Sequence, residues 1–81
     1  MQGVYLSDAT IWDWVNSATR DVHERANAVE AVSSFQRECG GRVTLHGLEQ
    51  RFNELMGDES LLFTKYTMQY MLQNPPEEFS S

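Results

Sequence analysis

The chain has 81 residues, a formal net charge of −6 and a single cysteine, Cys39. The length allows one domain, the lone thiol excludes an intrachain disulfide and favours a reducing compartment, and the acidic balance argues against direct nucleic-acid binding, which needs clustered Lys and Arg. With no secretory signal peptide and no stretch near the roughly 18 apolar residues of a membrane helix, we expect a soluble, cytoplasmic protein without membrane contact.

The first predicted element is a long helix over residues 8–38. Ser7 and Asp8 are favourable N-cap residues, and Leu6 and Ile11 have the spacing of a hydrophobic staple around a Ser7 cap. From Asp8 onward Gly and Pro are absent until Gly40, and apolar residues recur every three or four positions, which indicates a helix rather than a strand. These apolar residues are Ile11, Val15, Ala18, Val22, Ala26, Val29 and Val32.

A second, shorter helix is predicted over residues 44–56. Gly40 and Gly41 are expected to end the first helix, because Gly is the usual residue at C′. Thr44 is the expected N-cap, and Val43 can pack onto Leu48 as a hydrophobic staple. The apolar seam of this helix is Leu45, Leu48, Phe52 and Leu55.

The last predicted helix covers residues 58–73. Gly57 either breaks the chain or only kinks it, and Pro75 and Pro76 stop the helix. The fold class is therefore all-α, either a helical hairpin or a small three-helix arrangement, with one domain over residues 1–74. The polar, acidic tail over residues 75–81 is expected to be disordered.

This last helix carries apolar side chains on two opposite faces. At 100° per residue one face is aliphatic, within about 40°, and the other is aromatic, within about 60°. The aliphatic face is Leu61, Met68 and Leu72, and the aromatic face is Phe63, Tyr66 and Tyr70, with Leu62 and Met71 on the flanks. A chain this short covers one face more easily than two. We therefore predict that Phe63, Tyr66, Tyr70 and Met71 bind a partner, although the first helix and the N-terminal segment, with Trp12 and Trp14, are the alternative cover.

Residues with catalytic or metal-binding potential are sparse. Cys39 and His46 flank the first interhelical turn, but structural zinc sites show paired ligands such as C-x2-C, so no metal is expected. His23 next to Glu24 does not form an acid–base pair, because adjacent helical residues point to different faces. No nucleophile elbow or phosphate loop is present, so no enzyme activity and no cofactor are expected.

Three functional hypotheses remain open. The first is a protein–protein interaction module, such as an adaptor, a co-chaperone or an assembly subunit, which binds a protein partner or itself through the last helix. The second is an acidic inhibitor of a nucleic-acid-binding or defence protein, which depends on charge alone. The third is a subunit of a helical secretion or phage polymer. Phe79, flanked by acids in the tail, is a further candidate as a short docking motif.

Overall fold

The computed structural model describes residues 3–56 and 65–80, and these residues form an all-α fold, as predicted. The helices are α1 (Asp8–Ala18), α2 (Val22–Glu38), α3 (Leu45–Leu55) and α4 (Lys65–Gln73), followed by a 3-10 turn (Glu77–Phe79). Within the described ranges α1 contacts α2 and α4, and α3 contacts the same two helices.

The prediction of one long helix over residues 8–38 is wrong, because the chain leaves the helix at Thr19 and starts a new one after Asp21. Thr19 is extended, with φ −149° and ψ 146°, and the Asp21 side chain accepts a hydrogen bond from the Glu24 backbone N–H as an N-cap. In the sequence, the regular spacing of apolar residues continues across residues 19–21, so it gives no sign that the helix is interrupted there. The break turns Val22 outward, so that 67% of its surface is exposed.

The end of α2 follows the prediction closely. Gly40 has φ +72°, a left-handed conformation that glycine adopts without strain. The N–H of Gly41 donates to the carbonyl of Gln36 (2.9 Å) and the N–H of Gly40 to that of Arg37 (3.1 Å). These two bonds are the Schellman motif, which satisfies the last carbonyls of the helix.

The predicted N-caps of α1 and α3 are also confirmed. The Ser7 hydroxyl accepts from the Thr10 N–H at 3.2 Å, and the Thr44 hydroxyl accepts from the Gly47 N–H at 2.9 Å. Both caps satisfy backbone donors that have no partner inside the helix.

The segment before α1 is fastened to the α2–α3 junction. Val4 and Val43 form an isolated antiparallel bridge, with N–H to carbonyl distances of 2.8 and 2.9 Å. Two residues later, the buried Gln36 amide pairs with both backbone groups of Leu6: Oε1 accepts from N–H at 2.7 Å, and Nε2 donates to the carbonyl at 2.9 Å. The start of α1 is thereby fixed against the end of α2.

The core lies between the four helices and the N-terminal segment. The Trp14 indole N–H donates to the Met71 carbonyl at 2.9 Å, a buried hydrogen bond that joins α1 to α4. The buried apolar residues are Leu6, Ile11, Trp14, Val15, Ala28, Val32, Val43, Leu48, Phe52, Met68 and Met71.

The tail differs from the disordered segment that was predicted. Its Phe79 ring packs against the Trp14 ring, with centroids 6.0 Å apart and planes inclined by 60°. The Thr10 hydroxyl donates to the Glu78 carboxylate at 3.1 Å. The apolar ring and the acidic neighbour thus find partners on α1, so the segment contributes to the edge of the core.

The predicted start of the last helix near residue 58, and the choice between a break and a kink at Gly57, lie outside the described residues. Among the helices that are described, none has the length and apolar character needed to cross a bilayer.

Candidate protein-binding surface

The outer face of α4 carries two exposed tyrosines. Tyr66 has 83% and Tyr70 has 43% of its surface exposed, and their spacing of four residues places them one helical turn apart on one face. Phe63, the third aromatic residue predicted for this surface, lies outside the described residues.

Met71, which was predicted to bind a partner, lies instead in the core with 0% of its surface exposed. The helical geometry accounts for the difference, since Met71 is about 60° from Met68 around the helix axis and both belong to the buried core. Met68 is itself 3% exposed, as expected for the aliphatic face, whereas Leu72 is half-buried against the core. Leu61 lies outside the described residues.

Polar contacts on the inner side of α4 fix the orientation of its outer face. The Thr67 hydroxyl, on a residue that is 4% exposed, donates to the Glu24 carboxylate of α2. The other oxygen of Glu24 accepts from the Thr19 hydroxyl at 3.4 Å. These bonds and the one from Trp14 to Met71 hold the inner side of α4 on both α1 and α2, so the tyrosines point outward.

Beside Tyr70 lies a surface groove between α1 and α4, which we name the α1–α4 groove. Its volume is about 320 Å³, near the lower end of the range for ligand pockets. It is lined by Thr10, Asp13, Trp14, Ser17, Tyr70, Asn74 and Pro76.

The lining of this groove is rich in hydrogen-bond acceptors. Within the part of the chain that the structure describes, the exposed Asp13 carboxylate has no ion-pair partner. The Asn74 side chain donates its Nδ2 to the Tyr70 carbonyl at 3.0 Å, so its oxygen is the group left to accept. The Ser17 hydroxyl donates to the Asp13 carbonyl at 2.9 Å and keeps its lone pairs. Among the described residues, no Lys, Arg or His lines the groove.

Two arginines elsewhere in the fold lie over aromatic rings. The Arg25 guanidinium is 5.1 Å from the centroid of Trp12, a side chain that is 47% exposed. Arg51 lies 4.8 Å from the centroid of Phe35 and also pairs with Glu38 at 2.6 Å. The hydrogen bond from Arg51 lowers the pKa of the Glu38 carboxyl below its ordinary value. Pairs this exposed contribute little to stability.

Cys39 and His46, the two residues weighed as metal ligands, lie on either side of the α2–α3 junction. Cys39 is a free, half-buried thiol at the end of α2, and the His46 ring interacts with Gln50 at 3.2 Å. The described ranges contain no group of three or more His, Cys, Asp or Glu residues placed to hold a metal ion.

The α1–α4 groove was not predicted from the sequence. Thr10, Asp13 and Ser17 fall within about 60° of one another on α1, and this polar strip beside Trp14 was visible in the sequence. The sequence pattern did not predict that α4 packs along this strip, because the packing depends on which of the two apolar faces of α4 turns inward.

Comparisons of the chain with protein-family models, with curated proteins and with solved structures found no match.

Proposed function

We propose that this protein is a protein-binding module whose contact surface combines the outer face of α4 with the α1–α4 groove. The observation that supports this most directly is the exposure of Tyr66 and Tyr70 on a helix whose opposite side is firmly held in the core. Tyr is enriched at protein interfaces, because its ring buries a large area while its hydroxyl still forms hydrogen bonds. An adaptor, a co-chaperone or an assembly subunit would use such a surface.

The partner that fits this surface best is a different protein with a basic contact area, rather than a second copy of the chain. Every copy carries a formal net charge of −6, so self-association brings like charges together. The elements beside the groove carry Asp8, Asp13, Glu77 and Glu78 against a single base, Lys65. Charge complementarity therefore favours a cationic partner.

A reducing compartment, such as the cytoplasm, is where we propose that the module acts. Cys39 is the only cysteine in the chain and is a free thiol in the structure. Free thiols of this kind persist where the cell keeps cysteines reduced.

The proposal is tested by comparing Tyr66→Ala with Tyr5→Ala, which removes another exposed aromatic ring (64% exposed) far along the chain. Tagged wild-type and variant proteins are used to capture partners from the native host, and the captured proteins are quantified by mass spectrometry. We expect one basic protein to be recovered with wild type and Tyr5→Ala. Its recovery should fall at least tenfold with Tyr66→Ala, because interface tyrosines are frequent hot spots.

Circular dichroism and sedimentation complete this test. Tyr66→Ala should melt within a few degrees of wild type, since a ring that is 83% exposed contributes little to the core. Sedimentation should give a monomer for the purified chain. Equal capture by Tyr66→Ala would contradict the proposal, and a dimer that Tyr66→Ala dissociates would contradict the choice of a different protein as partner.

A second candidate, an acidic inhibitor of a nucleic-acid-binding protein, is favoured by the net charge of −6. The two functions differ in the salt dependence of binding. An inhibitor that depends on charge should lose most of its affinity between low and high salt, whereas contacts made by Tyr66 and Tyr70 should persist.

A further inference from the structure

The size of the α1–α4 groove restricts what it can hold. Its volume of about 320 Å³ is at the bottom of the range of about 300–1,000 Å³ for pockets that enclose a small-molecule ligand. The groove is also open to the surface rather than enclosed. A single long side chain from a docked protein fits this space better than a nucleotide or a cofactor.

The polar atoms that line the groove are mostly hydrogen-bond acceptors, so they favour a ligand that donates hydrogen bonds. Asp13 offers two carboxylate oxygens, and Asn74 and Ser17 offer acceptor oxygens that remain after their own donated bonds. A guanidinium has five N–H donors in a planar fork and no acceptor, so it matches this set, whereas an acidic side chain would be repelled by Asp13.

Tyr70 adds a ring for the flat face of a guanidinium. Its side chain is 43% exposed and lines the same groove as Asp13. The chain already contains this combination, since Arg51 lies over the Phe35 ring and pairs with the Glu38 carboxylate. In the groove the ring and the carboxylate are present, and no arginine of the described residues fills the place between them.

We propose that the α1–α4 groove is a pocket for one arginine side chain of a partner protein, with Asp13 as its counter-charge and Tyr70 as its stacking ring. This inference rests on the proposed function and adds the chemical identity of the group that the partner inserts. Tyr70 belongs both to the groove lining and to the outer face of α4, so the pocket and that face form one contact surface.

The experiment uses a short probe, the peptide acetyl-Gly-Arg-Gly-amide, titrated into the 15N-labelled full chain and followed by NMR. The matched probes carry citrulline, which is neutral and nearly isosteric with arginine, or lysine. We expect saturable shifts centred on Asp13, Ser17 and Asn74, with a dissociation constant in the millimolar range. Citrulline should bind at least tenfold more weakly, since charge-assisted hydrogen bonds are roughly twice as strong as neutral ones, and lysine should also bind more weakly because it lacks the planar fork.

Two variants with the same change of charge localise the site. Asp13→Asn should weaken binding of the arginine probe about tenfold, whereas Glu49→Gln, on the exposed side of α3, should leave it unchanged. Equal binding by Asp13→Asn and wild type, or equal weakening by both variants, would overturn the pocket. Equal affinities for the arginine and lysine probes would overturn the choice of a guanidinium.

This result is separable from that of the proposed function. Tyr66 lies outside the groove lining, and Asp13 lies outside the outer face of α4. If Tyr66→Ala abolishes partner capture while Asp13→Asn still binds the arginine probe like wild type, the module stands and the arginine pocket falls. If the arginine probe binds as expected and Tyr66→Ala captures the partner normally, the proposed contact surface falls instead.

Discussion

The Gln36 side chain forms the two hydrogen bonds with the Leu6 backbone that a neighbouring β-strand would otherwise form. A primary amide has one donor and one acceptor side, the same pair that a backbone peptide group offers to its neighbour in a sheet. Both sides of this amide bind the Leu6 backbone in a buried environment. Gln36 is 7% exposed, so neither it nor Leu6 can exchange these bonds for bonds to water without opening the fold.

Gln36→Leu should therefore lower the free energy of unfolding by about 1–3 kcal/mol, because the substitution leaves the Leu6 N–H and carbonyl buried without partners. Urea denaturation followed by circular dichroism measures this loss, and hydrogen exchange at the Leu6 amide should accelerate. Gln50→Leu, on the exposed side of α3, is the control and should change stability by less than about 0.5 kcal/mol. Equal stabilities of the two variants would show that the amide pairing contributes nothing.

At the scale of the helices, the decisive feature is the break between α1 and α2. Thr19 leaves the helical conformation and Asp21 caps the next helix. The break lets α1 and α2 pack on each other, whereas a single straight helix cannot bury its own apolar side chains. Without the break, Trp14 and Ala28 would lie on one continuous helix, too far apart along its axis to share a core.

Asp21→Ala should lower the free energy of unfolding by about 0.5–2 kcal/mol, the usual effect of losing an N-cap acceptor. Asp21→Asn keeps a side-chain oxygen that can accept from the Glu24 N–H, so it should retain most of the stability. Urea denaturation of both variants is the measurement. The cap has no role at this break if Ala and Asn are equally stable at position 21.

The sequence predicted the elements whose ends depend on local chemistry. The Ser7 and Thr44 caps and the Gly40 C′ residue lie where their residue types favour them, because each end is set by a few neighbouring backbone groups. The break at Thr19 was missed although Asp21 and Glu24 have the spacing of a capping box. The continuous apolar pattern outweighed that local pattern, and only the packing of the whole chain decides between them.

The residues exposed on α4 could likewise be predicted only in part. The exposure of Tyr66 follows from the chemistry of the two faces of α4, since aliphatic residues pack into the Leu- and Val-rich core better than tyrosines do. Met71 was misplaced because its angle around the helix lies between the two faces, and the deciding contact with Trp14 comes from a helix 57 residues away.

At the scale of the whole molecule, the segment after α4 packs against α1 at the edge of the core. The Phe79 ring covers Trp14 and the Glu78 carboxylate accepts from Thr10. A small domain buries a limited part of its surface, so one additional aromatic ring at the edge of the core matters.

Phe79→Ala should lower the free energy of unfolding by about 1–3 kcal/mol, less than the 3–5 kcal/mol of a fully buried Phe because the ring is only half-buried. Thermal and urea denaturation give the value, and Tyr66→Ala serves as the exposed aromatic control. A Phe79→Ala variant as stable as wild type would mean that the contact with Trp14 does not hold in solution.

The bond from Trp14 to Met71 also constrains the order of events during synthesis. A ribosome produces Trp14 long before Met71 and Phe79, and a contact that closes a loop of this length forms only after both ends exist. The nascent chain therefore displays the largest apolar ring of its core until translation has passed Phe79. We expect these helices to fold together only after Phe79 has been made, and the nascent chain before that point to be the form most exposed to chaperones and proteases.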